Sequence, residues 1–219
     1  MHLYDTQRSG NAWKVRLMAA FLGLPLERTT LSIDKGDLQK PEFLRLTPFA
    51  QVPVLRLQDG STLAESMAIL FYLAQGSPWW PHALAERAQV LAWLSYEQER
   101  HMKPLAQLRL HIALRKDLSI GDDSMVLALA QAHEAMAILE AQLARQGEAA
   151  WVATCAHPSI ADVALYPYTR MAGMGGVSLE AYPSTRAWLA RMEALPGYQA
   201  LYPGRPELNF STTEIKETT

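Results

Sequence analysis

The sequence predicts an α/β domain followed by an all-helical domain, and three observations support this prediction. Within residues 1–76, short apolar runs alternate with helical patterns in the order βαβαββα. Residues 76–81, with two prolines and two tryptophans, then interrupt the pattern. After this stretch the strand patterns disappear, and long segments with apolar residues at helical spacing follow.

The elements of the first domain follow from local patterns and their stop signals. Gly23 and Pro25 end the first helix, because glycine favours a helix C-terminus and proline cannot continue the helix. The Asp59-Gly60 pair predicts the turn of a hairpin between two short strands. The predicted strands cover residues 2–6, 27–33, 54–57 and 61–63, and the predicted helices cover residues 11–22, 41–46 and 65–74.

The second domain is predicted from helical periodicity alone. A helix over residues 84–114 is expected to bend at Pro104, because an interior proline removes one helix hydrogen bond. Further helices are predicted over residues 125–146, 159–171, 182–194 and 197–202. We therefore divide the chain into a first domain (1–76), a linker (77–84), a helical domain (85–204) and a surface tail (205–219).

Composition limits the class of protein. The 219 residues are 49% hydrophobic and 19% charged, with a net charge of −2, so a packed core is expected and a nucleic-acid surface is not. We expect no membrane span and no signal peptide, and hence a cytoplasmic location. The single cysteine, Cys155, is interpreted as an inert structural thiol, and the six histidines lack ligand spacing, so no metal site is predicted.

Two short segments at the end of the first domain predict a site that binds an extended peptide. Val52-Pro53 precedes a strand, and a cis bond there would turn the Val52 amide and carbonyl outward to pair with another backbone. Glu65-Ser66 then opens a helix, whose free N–H groups attract a carboxylate.

Three segments in order resemble the cytosolic glutathione transferases. The pairing of Gln51-Val52-Pro53 with Glu65-Ser66 resembles their glutathione site. Residues 3–5 and 8–16 are similar to the start of their bacterial serine-type members, with theta-, nu- and beta-like features. Residues 158–164 are similar to the capping motif of their helical domain. The resemblance implies a thioredoxin-like first domain and glutathione as the co-substrate.

Ser9 is the catalytic candidate, because it lies between the first strand and the first helix. A hydroxyl and a helix N-terminus placed there would lower the pKa of a bound thiol and so favour the nucleophilic thiolate. From the residues alone, a simple N-cap is the more common role of such a serine. The resemblance favours the catalytic role, with Tyr4 and Asn11 as alternates.

The resemblance also implies contacts along the tripeptide. Glu65 would accept from the γ-glutamyl ammonium and Ser66 would donate to its carboxylate. Val52 would pair with the cysteinyl backbone in a short strand addition. At the glycyl end, Gln51 would contact the carboxylate, and Lys35 and Gln39 are additional candidates.

The second substrate is expected between the two domains. Four side chains are candidates for that pocket: Tyr96, Arg100, Met102 and Tyr166. The implied reaction is conjugation of glutathione to a small electrophile by a homodimer. The alternatives are a glutathione-dependent isomerase, dehalogenase or peroxidase on the same fold, and a non-catalytic binding protein.

A capping box is predicted at the third helix of the helical domain. Ser159 would accept from a backbone amide of the first turn, and Asp162 would bond back to the Ser159 amide. We interpret this motif as stabilising the fold, with about 1 kcal/mol lost on its removal.

Overall fold

The structure, a computed structural model, describes residues 1–147, 149–154 and 156–202. Cys155 and the tail at 205–219 lie outside these residues, so the predictions made for them stay predictions. None of the described helices combines the length and the apolar character that crossing a bilayer requires.

The first domain is built on a mixed four-stranded sheet. Its strands are β1 (His2–Asp5), β2 (Glu27–Thr30), β3 (Val54–Arg56) and β4 (Thr62–Ala64), in the spatial order β2-β1-β3-β4. β1 pairs parallel with β2 and antiparallel with β3, and β3 pairs antiparallel with β4. The helices are α1 (Gly10–Phe21), α2 (Pro41–Leu44) and α3 (Ser66–Ala74). This confirms the thioredoxin-like βαβαββα order, although β2 stops three residues before its predicted end.

The helical domain contains α4 (Leu84–Tyr96), α5 (Met102–Leu108), α6 (Asp123–Gln146), α7 (Ile160–Arg170) and α8 (Pro183–Glu193). π-helical segments, Glu97–His101 and Arg109–Arg115, flank α5, so the predicted long helix is not uniformly α-helical. Pro104 lies inside α5, immediately after the first π segment. The predicted helix over residues 197–202 is wrong, since these residues form turns and irregular backbone.

The two domains share one apolar core, with α1 packed against both α3 and α7. Gly10 permits this approach, because a Cβ there would lie 2.9 Å from the Tyr168 ring and from the Met171 methyl group. The residues before the tail also bind α1, since Trp13 Nε1 donates to the Gln199 carbonyl at 2.8 Å. The start of α1 is therefore held by elements of both domains.

The capping box is confirmed at α7. Asp162 accepts from the Ser159 amide at 2.8 Å, and the Ser159 hydroxyl accepts from the Ala161 amide at 3.2 Å. Asp162 also accepts from the Val152 amide and from Trp188 Nε1, each at 2.9 Å. The Ser159 hydroxyl also donates to Asp162, at 3.2 Å. Because this carboxylate accepts from four buried donors, we expect its removal to cost more than the loss of a helix cap alone.

Candidate active site

One cleft of the first domain brings together six of the predicted site residues. It is open to solvent and is lined by Asn11, Phe49, Gln51, Val52, Pro53, Ala64, Glu65 and Ser66. The lining comes from the start of α1, the turn before β3 and the start of α3. Three parts of the chain that are far apart in sequence thus meet around one concave surface.

The turn before β3 presents backbone to this cleft. The Val52–Pro53 peptide bond is cis. The ladder with β1 begins only at Val54, which lies opposite Tyr4, so Val52 precedes the sheet and lies at the cleft wall. Gln51 is exposed beside it. An extended peptide placed here could pair with the Val52 backbone by strand addition, just before β3 enters the sheet.

The start of α3 forms the opposite wall. Glu65, the N-cap, has a φ of 69°, a left-handed conformation that is uncommon for a residue with a side chain. Such backbone conformations concentrate at ligand-binding sites. The Glu65 carboxylate is exposed, and Ser66 next to it is 4% exposed. A carboxylate acceptor and a helix N-terminus therefore lie side by side, which suits a zwitterionic amino-acid group.

The start of α1 completes the cleft. Ser9 is the N-cap, and its Oγ accepts from the Ala12 amide at 3.1 Å. This bond uses a lone pair and leaves the hydroxyl hydrogen available to donate. Asn11 Oδ1 is buried without a hydrogen-bond partner among the described residues. The first turn of α1 contains no acidic residue, so its positive end is not neutralised locally.

Four other predicted residues are not part of this lining as the described residues form it. Ser9, the catalytic candidate, is one of them and lies two residues before Asn11, which does line the cleft. Tyr4 packs its ring against His2 on the same strand, with centroids 4.8 Å apart. Lys35 and Gln39 are exposed in and beside the short 3₁₀ helix Asp37–Gln39. The structure thus groups Asn11 with the cleft and places the other alternate, Tyr4, on the sheet.

Of the four residues predicted for the second-substrate pocket, Tyr96 and Arg100 are electrostatic neighbours and Met102 is half-buried, whereas Tyr166 lies in the core. The Tyr96 hydroxyl donates to the Ala135 carbonyl of α6 at 2.5 Å, and Arg100 is exposed on the π segment before α5. Tyr166 is fully buried and bonds Glu193 and Tyr198, with its pKa raised by burial. This burial argues against Tyr166 as a pocket residue and places it in the core.

Sequence reasoning missed a buried ion pair between the domains. Lys14 Nζ donates to Glu97 Oε1 at 2.6 Å, and both side chains are fully buried. Burial lowers the pKa of Lys14, against the attraction of Glu97. His101 lies nearby with Nε2 2.9 Å from Thr169 Oγ1, and burial lowers its pKa to about 3. The signal in the sequence was a lysine within a helix whose residues are buried on every side, since a buried lysine needs a partner.

The general class of protein is defined by a thioredoxin-like domain that carries an open cleft between the starts of α1 and α3 and is joined to a helical domain. Comparison with known families gives the more specific assignment. Residues 8–75 match the family model for the glutathione S-transferase N-terminal domain, and residues 77–191 match that for the C-terminal domain. The chain therefore belongs to the glutathione transferase family.

Individual relatives agree with this assignment. A glutathione S-transferase structure from Pseudomonas fluorescens Pf-5 is 36% identical, with a TM-score of 0.87 over 91% of this chain and 98% of that one. A maleylacetoacetate isomerase from Pseudomonas aeruginosa is 28% identical over 213 residues, covering 93% of this chain and 96% of its own. Ure2p in complex with S-hexylglutathione is 25% identical, with a TM-score of 0.81 over 90% of this chain and 95% of that one.

Proposed function

We infer that this chain transfers the thiolate of glutathione to a small electrophile, with Ser9 stabilising the thiolate. The observation that carries this inference is the convergence of two helix N-termini and the Val52 backbone on one cleft. The γ-glutamyl group fits Glu65 and Ser66, the cysteinyl backbone fits Val52, and the thiol is then directed to the start of α1. The complex of the related Ure2p with S-hexylglutathione supports the choice of ligand.

Ser9 acts on the thiol by hydrogen bonding and by its position. Its hydroxyl donates to the sulfur while its oxygen keeps the Ala12 amide satisfied. The uncompensated positive end of α1 adds to this effect, so the thiolate is favoured over the thiol. The thiol proton goes to solvent, and the thiolate attacks an electrophilic carbon. As the carbon–sulfur bond forms, the bond from that carbon to its leaving group breaks, and the leaving group departs with the bonding electrons.

A second candidate reaction is glutathione-dependent isomerisation. It is favoured by the likeness to maleylacetoacetate isomerase, which extends over nearly the full length of both chains. An isomerase uses the same thiolate but releases glutathione unchanged at the end of the catalytic cycle. Glutathione consumption distinguishes the two, because a transferase consumes one thiol for each substrate and an isomerase consumes none. A reductive dehalogenase or a peroxidase consumes two thiols for each substrate and leaves glutathione disulfide. A purely binding protein consumes no thiol and, unlike an isomerase, forms no product.

The shared site is tested by two measurements at neutral pH. Calorimetry measures glutathione binding, and ultraviolet absorbance measures how much of the bound thiol is ionised. Wild-type protein is expected to bind and to show thiolate absorbance, and S-methylglutathione to bind without it. Ser66→Ala is expected to weaken binding by about tenfold, since it removes a hydrogen bond to a charged group. Ser61→Ala, in the β3–β4 turn of the same domain, serves as the control. Absence of binding at millimolar glutathione would exclude both reactions.

The homodimer and the cytoplasmic location stay predictions. Exposed apolar side chains on α3 and α4, namely Phe71, Tyr72 and Leu91, support the dimer, because a second copy would cover them. Sedimentation of wild-type protein and of Phe71→Glu tests this arrangement, and a monomer in both would contradict it.

A further inference from the structure

Arg109 is a buried cation without a carboxylate partner among the described residues. It is 5% exposed, its Nη2 donates to the Arg8 carbonyl at 3.0 Å, and its Nε is buried with no partner. Other buried cations of the chain are paired, as Lys14 is with Glu97 and Arg16 is with Asp5. Because buried charges are almost always paired, Arg109 requires an explanation beyond folding.

The backbone around Arg109 is fixed on both sides. Arg109 begins the π-helical segment Arg109–Arg115, and such departures from α-helix are frequent at functional sites. The turn at residues 172–175 packs directly on it, since a Cβ on Gly175 would lie 2.7 Å from Leu108 Cβ and 3.1 Å from the Arg109 amide nitrogen. The backbone that carries the Arg109 side chain is therefore closely packed.

Its position is next to the proposed catalytic serine. The carbonyl that Arg109 binds belongs to Arg8, the residue before Ser9. Tyr168, which approaches Gly10 at the start of α1, is also an electrostatic neighbour of Arg109. Arg109 thus approaches the start of α1 from the helical domain, while the glutathione cleft lies on the first-domain side.

The charges nearby leave the positive potential uncompensated. Arg8, whose carbonyl Arg109 binds, pairs its own side chain with Asp34 through two bonds of 2.8 Å. The charge of Arg8 itself opposes that of Arg109, and burial further lowers the pKa of the Arg109 guanidinium. An arginine nevertheless stays protonated in proteins, so the site retains an unneutralised cation.

We propose that Arg109 binds a carboxylate of the second substrate and places its electrophilic carbon beside Ser9. The substrate class is then a small aromatic or unsaturated electrophile that carries a carboxylate. The planar guanidinium, which has no carboxylate partner among the described residues, matches the two-oxygen geometry of a carboxylate. This inference rests on the proposed function of the same site and specifies its second substrate.

The test compares 4-chloro-3,5-dinitrobenzoate with its methyl ester, which share the ring and the leaving group but differ in charge. In both, the thiolate attacks the carbon that bears chlorine, a carbon–sulfur bond forms, and chloride leaves with the bonding electrons. The wild type is expected to prefer the acid by about tenfold or more in kcat/KM, relative to the uncatalysed rates. Arg109→Gln is expected to remove this preference, and Arg109→Lys to retain part of it.

Arg191→Gln is the matched control. Arg191 also donates to one backbone carbonyl, that of Ala150 at 2.7 Å, and also has an unpartnered Nε, but it lies over Trp151. Its substitution is expected to leave the preference for the acid unchanged. Equal loss of rate for acid and ester in Arg109→Gln would overturn the proposal, because it would mean that Arg109 acts on the thiolate instead.

A binding measurement tests the role of Arg109 separately from the proposed transferase reaction. The glutathione conjugates of the acid and of the ester are titrated into wild-type protein, which requires neither turnover nor a variant. Tighter binding of the acid conjugate supports the role of Arg109 even if neither electrophile is turned over, a result that would contradict only the transferase reaction. Equal binding of the two conjugates would overturn the role of Arg109 while leaving glutathione binding intact.

Discussion

Two helices of this chain begin with a serine N-cap, and the surroundings of the two caps differ. At α7, Ser159 is 1% exposed and its capping box is closed by the Asp162 carboxylate. At α1, Ser9 is half-buried, and Ala12 stands where Asp162 stands in α7. A carboxylate of the chain caps the start of α7, whereas the first turn of α1 has no acidic residue, which leaves its positive end available to the proposed ligand. The neighbours of a cap, more than the cap residue itself, thus decide between folding and binding.

The largest expected effect is the loss of stability when the Asp162 carboxylate is removed from the capping box of α7. Asp162→Ala leaves the amides of Ser159 and Val152 and the Trp188 indole without their acceptor, and should cost about 3–4 kcal/mol of unfolding free energy. Denaturant unfolding measures this, and Asp123→Ala, in the exposed first turn of α6, serves as the control with a much smaller loss. A loss no larger than that of the control would mean that the box contributes little.

Ser9→Ala should produce the reverse pattern. We expect kcat/KM for a glutathione electrophile to fall by about 100-fold, because one donor to a developing or resting anion is lost. The unfolding free energy should fall by only about 1 kcal/mol, the cost of one cap bond. Ser159→Ala is the matched control, with lower stability and unchanged turnover of the folded protein. Full activity in Ser9→Ala would transfer the catalytic role to an alternate such as Asn11.

Asn11→Asp tests how a negative charge at the start of α1 affects the bound thiol. A carboxylate of the same shape beside Ser9 should raise the pKa of bound glutathione by about one unit, through repulsion of the thiolate. Ultraviolet titration of the thiolate measures the shift. Gln75→Glu, an equivalent change at the C-cap of α3, should leave the thiol pKa unchanged. An unshifted thiol pKa in Asn11→Asp would place the sulfur away from the start of α1.

The smallest expected effect is the dependence of stability on pH. Burial raises the pKa of Asp162 above its ordinary value, against the lowering effect of its hydrogen bonds. Between the ordinary and the raised pKa the native state holds the proton more tightly than the unfolded state, so stability falls as pH rises through this window. The slope is at most about 1.4 kcal/mol per pH unit. Asp162→Asn should flatten the profile of unfolding free energy, and an unchanged profile would contradict the assignment.

The sequence was sufficient for the features that depend on local patterns. The strand and helix order, the Ser159–Asp162 box and the grouping of Val52, Glu65 and Ser66 each follow from residues close together in the chain. The helix predicted over residues 197–202 failed because that segment is held by tertiary contacts, such as the bond from Trp13 to the Gln199 carbonyl.

Other features depend on contacts between distant parts of the chain. Nothing in the local pattern around Lys14 specifies Glu97 as its partner, because their meeting depends on how α1 packs against the helical domain. The isolation of Arg109 is likewise visible only once every nearby carboxylate has been assigned. The second-substrate pocket was predicted from a stripe of Met and aromatic residues, a pattern that core and pocket share.

The Lys14–Glu97 pair has a consequence for recombination among relatives. Each domain contributes one residue of a fully buried ion pair. Exchanging either domain alone for that of a homologue could therefore leave an unpaired charge in the interior. Viable chimaeras must therefore inherit both residues together or replace both with apolar ones. The two domains are separate in architecture but share one buried ion pair. Substitutions of Lys14 and of Glu97 are therefore expected to occur together.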